Sequence, residues 1–128
     1  MAKSVGIILL LLLSLIYCGT IPHYEERLVA SKKEIFQGYS LDEIWDGIFA
    51  TIAEMDYLVT NTDKEAGHIY AEGEEPYWSR GGRGALSFLV RPTDTQIIIT
   101  CQAKGTYMAF DPQKEISRFF RIFRDKLR

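Results

Sequence analysis

The alternation of apolar and polar positions divides the chain into an apolar leader, a polar stretch and a series of short amphipathic elements. From Val5 to Tyr17 the residues are apolar apart from Gly6 and Ser14, behind the single Lys3. Residues 19–33 carry no apolar period, and Glu34–Tyr39 then reads as a strand. Ser40 opens a helix. With Glu43 three residues on it forms a capping box, and Tyr39 is placed to staple onto Ile44. At 100° per residue Leu41, Ile44, Trp45, Ile48, Ile52 and Met55 share one stripe with Phe49 at its edge, while Asp42, Glu43, Asp46 and Glu54 point away. Tyr57–Thr60 and His68–Glu72, separated by the turn-forming residues 61–67, predict a β-hairpin. Ala85–Val90 and Gln96–Cys101 predict two further strands, the second β-branched enough for an inner position. Residues 102–110 fit either a continued strand or a turn at Lys104-Gly105. Asp111 and Pro112 then begin a last helix with the stripe Ile116, Phe119, Phe120, Phe123 and Leu127, and with Lys114, Arg118, Arg121 and Arg128 outside it.

The order β-α-β-β-β-β-α, with connections short enough for antiparallel neighbours, predicts an α+β fold: an antiparallel sheet of four to five strands with two amphipathic helices on one face. The single domain is expected at 34–128. Residues 19–33 before it form a flexible tether of at most ~50 Å, with Tyr24, Leu28 and Val29 an alternative start for the first strand. A chain of this size buries enough surface to fold without a metal or a disulfide.

The leader is too short for a permanent anchor, since a membrane-spanning helix takes roughly 20 apolar residues; one lysine before an apolar run is the pattern of a secretory signal peptide. It ends in Leu15-Ile16-Tyr17-Cys18-Gly19, which resembles the lipobox of bacterial lipoproteins, where a leucine three residues before a cysteine directs lipidation and cleavage. The resemblance implies that residues 1–18 are a signal peptide ending at the lipid-attachment residue Cys18. That cysteine would carry a diacylglyceryl thioether and an acylated amine and moor the domain to a membrane of the bacterial cell envelope, facing the periplasm. Tyr17 stands where the pattern has a small residue. From the residues alone, a plain cut near Cys18 or Thr20 and an uncut anchor also stay open. Cys101 lies in the apolar run Ile97-Ile98-Ile99-Thr100-Cys101, where a thiol reads as a small buried hydrophobe.

Charge alters the picture through its distribution. Residues 19–75 hold thirteen acids against four basic residues, and residues 76–128 hold ten basic residues against four acids. Such halves either interleave and pair or leave the domain bipolar. A net charge of −2 on an exported protein speaks against a nucleic-acid partner.

Catalytic chemistry finds little here. There is no GxSxG, HExxH or P-loop pattern, and His68 has no second ligand at metal spacing. Asp42 and Asp46, one turn apart, fit a metal or acid/base pair less well than a solvated first helical turn favoured by the macrodipole. No catalytic residue, metal or cofactor is therefore expected. The Gly- and Pro-rich segment 73–84 contains Tyr77, Trp78, Arg80 and Arg83, aromatic and guanidinium groups of the kind that dominate binding interfaces or hold carboxylates and phosphates. The last helix admits a second use as well, its phenylalanines inserted into an anionic membrane interface with the basic residues above.

Ile44-Trp45-Asp46-Gly47-Ile48, Asp56-Tyr57-Leu58-Val59 and Asp63-Lys64-Glu65-Ala66-Gly67-His68-Ile69 together are similar to the helix, strand and acidic-turn-glycine rhythm of helix-grip or TBP-like modules in envelope lipoproteins such as BamC of the outer-membrane assembly machinery. The resemblance implies a non-catalytic protein-binding or envelope-assembly accessory module whose sheet face or Tyr77–Arg83 loop docks an envelope protein partner, and it favours the outer membrane. The alternatives are a small-ligand or anion binder using the Tyr77–Arg83 loop, and a cell-wall or lipid hydrolase.

Overall fold

The computed structural model describes residues 29–73, 84–105 and 111–128. Its elements run β1 (Val29–Gln37), α1 (Leu41–Glu54), β2 (Tyr57–Asp63), β3 (His68–Gly73), β4 (Gly84–Pro92), β5 (Gln96–Gly105) and α2 (Pro112–Leu127). The five strands form one antiparallel sheet in the order β1-β5-β4-β3-β2, as the alternation predicted. β2 to β5 follow one another as a meander, and β1 closes the far edge against β5. Because four antiparallel steps separate them, β1 and β2 run the same way. The connection from β1 must therefore cross the sheet and return to the end from which β1 set out; α1, whose first-turn Asp42 already bonds Lys64 beside β2, makes the return along the β2 edge.

Both helices begin as their sequences dictate. The Ser40 hydroxyl accepts from the Glu43 amide at 3.1 Å, and the Glu43 carboxylate accepts from the Ser40 amide at 3.3 Å. At α2, the Asp111 carboxylate accepts from the Lys114 amide at 3.2 Å with Pro112 in the first turn. The acids of α1 lie at its N-terminal end, and Arg124 and Lys126 lie in the last turn of α2, where each suits the helix dipole.

The core fills the space between the helices and one face of the sheet. Ile69, Ala71, Leu86, Phe88, Val90, Ile97, Ile99, Cys101 and Ala103 point into it from the inner strands, and none of the buried core side chains is more than 8% exposed. α2 contributes Ile116, Phe119, Phe120 and Phe123, the expected stripe. Phe119 meets Phe88 with ring centroids 4.5 Å apart and Phe123 meets Phe36 edge-on at 5.1 Å. Burial of each such ring is worth about 1.5–3 kcal/mol. These phenylalanines are thus occupied by the core, so the expectation that they insert into a membrane interface is overturned for the folded domain. Among the described residues no helix is long and apolar enough to cross a membrane.

Several boundaries differ from the sequence reading, among them β4, which runs on through Arg91 to Pro92, and β1, which ends at Gln37. Residues 29–33, expected in the tether, belong to β1 and pair with β5 from Val29↔Lys104 onward. Polar side chains concealed this strand because β1 is an edge: Lys32 and Glu34 point toward the helices and are satisfied there instead of being excluded. β2 runs on through the expected turn to Asp63, with a bulge between Val59 and Asn61. β5 continues through Lys104 to Gly105, so residues 102–105 of the ambiguous stretch are strand, and 106–110 lie outside the described residues.

Two glycines are fixed by geometry. A Cβ on Gly47 would sit 3.0 Å from the Phe123 ring, so its absence lets α1 and α2 approach. Gly67 closes the β2–β3 turn at φ +74°. Its carbonyl accepts from the Val90 amide at 2.7 Å, and an added Cβ would run into the Val90 carbonyl. Gly38, at φ +83°, has open space around its Cα. Gly67→Ala should therefore cost about 2–4 kcal/mol, from backbone strain and collision together, whereas Gly38→Ala should cost about 1–2 kcal/mol from backbone strain alone. Urea denaturation of the two variants checks the difference.

Candidate functional site

The sequence-predicted contact residues Tyr77, Trp78, Arg80 and Arg83 fall in the segment 74–83, and Cys18 in the leader, all outside the described residues. The described residues add two surfaces: the sheet face turned away from the helices, and the edge where β1 meets α2.

Strand register builds the first surface. Across it, Ile35 pairs with Ile98 and Ile98 with Arg91; Lys33, Thr100, Leu89, His68 and Asp63 form the next row; Ser31, Gln102, Ser87, Tyr70 and Asn61 the one after. The face is broad and mixed, with single large apolar side chains among hydroxyls and amides. Ile35 is 58% exposed and Leu58 54% exposed, one at each edge of the sheet. No described element covers it. The unbroken run Ile97-Ile98-Ile99 places an isoleucine on both faces of β5, consistent with a sheet face that offers a docking surface.

On this face the structure brings together one pair that the sequence treated singly. The Ser87 hydroxyl lies 3.3 Å from His68 Nε2. A serine beside an imidazole is the beginning of a nucleophile, which then needs an oriented base and a carboxylate behind it. Asp63 stands opposite His68 in the register, yet its carboxylate accepts from the Ala66 amide at 3.1 Å and so serves the β2–β3 turn. The pair sits on an open sheet surface. It is a cross-strand hydrogen bond of the ordinary kind.

Several other titratable groups are engaged. Asp42 bonds Lys64 at 2.8 Å, and this contact holds its carboxyl below the usual range; both side chains are exposed, and Asp42 and Asp46 do not form a metal pair. No group of three metal-ligating side chains occurs among the described residues. Tyr57 donates to Glu115 at 3.0 Å. Burial, aided by the neighbouring carboxylate, pushes its phenol well above the ordinary range. Burial likewise pushes the Cys101 thiol up, so it stays protonated and inert beneath α2, as the apolar run predicted.

Depressions among the described residues include one of about 200 Å³ between β1 and the start of α2, and two of about 310 and 320 Å³ around Tyr39, all open to solvent.

The second surface is electrical. α1 and β2 with their turn, residues 40–67, hold seven acids and one lysine; β1 with residues 111–128 holds eight basic residues and four acids. α1 packs on β2 and α2 on β1 and β5, so the two groups lie at opposite edges of the sheet. Among the described residues two ion pairs join the chain's halves, Arg124 with Glu34 at 2.6 Å and Lys126 with Glu54 at 2.6 Å. Both expectations thus hold in part: some charges pair across the halves, and the domain is nonetheless bipolar.

Neither a protein-family model nor a curated protein matches the chain. Among solved structures, "Crystal structure of Ara h 8.0201" is similar at 10% identity and a TM-score of 0.40, covering 77% of this chain and 98% of that one.

The buried acids set the alkaline limit of the fold. Cys101 and Tyr57 keep their protons in the folded chain, while on unfolding they return toward ordinary values of 9.0 and 10.0. Above pH 9 the unfolded state therefore binds fewer protons than the folded one, and stability should fall as pH rises. Below pH 9 neither group contributes a slope. Denaturant midpoints measured from pH 8 to 11 should show the decline, and Cys101→Ala should flatten its onset while leaving the later part due to Tyr57.

Proposed function

We propose that the chain is a non-catalytic lipoprotein of the bacterial cell envelope, anchored through an acylated Cys18 and serving as a protein-binding or envelope-assembly accessory module. The leader's charge and apolar pattern and its Leu15-to-Cys18 spacing support the anchor. The single observation that carries the binding role is the contrast between the two sides of the sheet. Among the described residues one side is covered by two helices over a packed core. The other presents five strands of mixed apolar and hydrogen-bonding side chains under no described element. Such a surface suits a protein of similar texture better than a compact ligand. Tyr77, Trp78, Arg80 and Arg83 join β3 to β4 in sequence and are proposed as further contacts of the same partner.

The anchor and the partner are tested separately. Mass spectrometry of the chain purified from membranes should show Cys18 as an acylated first residue, and Cys18→Ser should leave no acylated product; an intact Met1 without acyl mass would overturn the anchor. For the partner, a photo-cross-linking residue at Thr100, on the uncovered face, should capture one protein in intact cells that the same residue at Ala50 on α1 does not, and Leu89→Asp should weaken the capture at least tenfold. Identical products from both positions, or none, would remove the sheet face from the proposal.

A further inference from the structure

The basic edge formed by α2 and β1 has no role in the core. Lys114, Arg121 and Arg128 lie on the side of α2 opposite Phe119 and Phe123, exposed and without an ion-pair partner among the described residues, and Lys33 is exposed on β1. The helix dipole explains cations in the last turn, but it disfavours Lys114, which sits in the first turn, and it is indifferent to Arg121 in the middle. A second observation bears on the same edge: β1 is the strand to which the leader connects. Only residues 19–28 separate Cys18 from Val29, a span of at most about 35–40 Å. Whatever holds Cys18 therefore keeps β1 near it.

We propose that this edge, Lys33 with Lys114, Arg121 and Arg128, rests on the anionic phospholipid headgroups of the membrane that holds the chain. The inference relies on the anchor proposed above. Charge complementarity supports it, since juxtamembrane cations are attracted to an anionic surface within a Debye length, and a lipid chain joined to a basic patch binds a bilayer far better than either alone. The opposite edge supports the same orientation: α1 and β2, rich in Asp and Glu, are repelled from that surface and face the aqueous side. Docked by its edge, the domain keeps the uncovered sheet face free for a protein.

The test uses the full chain reconstituted into vesicles of phosphatidylcholine alone or enriched in phosphatidylglycerol, carrying a photo-cross-linking residue at Ser117 beside the basic edge or at Ala50 on α1. Lipid adducts at Ser117 should rise several-fold with phosphatidylglycerol, fall again in high salt, and exceed those at Ala50. Lys114→Ala with Arg121→Ala should reduce them about 25-fold, near fivefold for each cation removed. Asp46→Ala, at the acidic edge, should change nothing, and circular dichroism confirms that each variant is folded. Equal adducts at Ser117 and Ala50, or adducts indifferent to phosphatidylglycerol and to the two alanines, would overturn the proposal. The mass of Cys18 in the same preparation separates the two readings: acylation without edge-specific adducts defeats only the docking, and edge-specific adducts without acylation defeat only the anchor.

Discussion

The structure depends on the three phenylalanines of α2. Phe119, Phe120 and Phe123 enter the sheet from one helix and join Phe88 from β4 and Phe36 from β1 in a continuous aromatic cluster. β1 has a strand neighbour on one side only, and along most of its length its side chains are polar. Phe36 is its single fully buried residue. Without the phenylalanines of α2 to receive Phe36, the β1–β5 pairing would be an exposed ribbon. α2 also bonds Glu34 through Arg124 and places the Phe120 ring 5.7 Å beneath Lys32. The helix and the edge strand thus stabilise each other, by aromatic packing at one end of β1 and by charge in its middle.

The same arrangement manages the two sheet edges in different ways. β1 points charged residues inward beneath a helix, which discourages the addition of another strand; β2 carries a bulge and a polar end. Since neither edge is a flat apolar ladder, the surface left for recognition is the face between them. Distribution of charge follows from topology. The crossover through α1 puts the acidic helix at the β2 edge, and the return through α2 puts the basic helix at the β1 edge, so a sequence polarised along its length becomes a domain polarised across its width.

The helices were legible in the sequence because their signals are local and redundant. Ser40 with Glu43, and Asp111 with Pro112, mark both starts, and the stripes through Ile44, Ile48 and Ile52 and through Phe119 and Phe123 recur with helical period. The inner strands were legible from Ile97 to Cys101 and from Leu86 to Val90. The first five residues of β1 were not, because Ala30, Ser31, Lys32 and Lys33 give no alternation and their pairing partners lie some seventy residues away. The ends of β2 and β5 escaped for a related reason: Asn61, Thr62 and Gly105 favour turns locally, and only their neighbours in the sheet keep them extended. The approach of Ser87 to His68 was equally invisible, as it depends on the β3–β4 register. The contact residues chosen from composition, Tyr77 to Arg83, rest on chemistry alone, while a sheet face was expected as a docking surface but the residues that share it followed only from the strand order.

Placing the first strand at the rim of the sheet has a mechanical side. Any tension carried by the chain upstream enters the domain at Val29, where the backbone is paired with Lys104, and meets the β1–β5 ladder before it reaches the aromatic cluster. The strand that receives the pull is also gripped from above, through Phe36 against Phe123 and Glu34 against Arg124. Resistance to being drawn out is therefore shared between backbone hydrogen bonds and a helix laid across them.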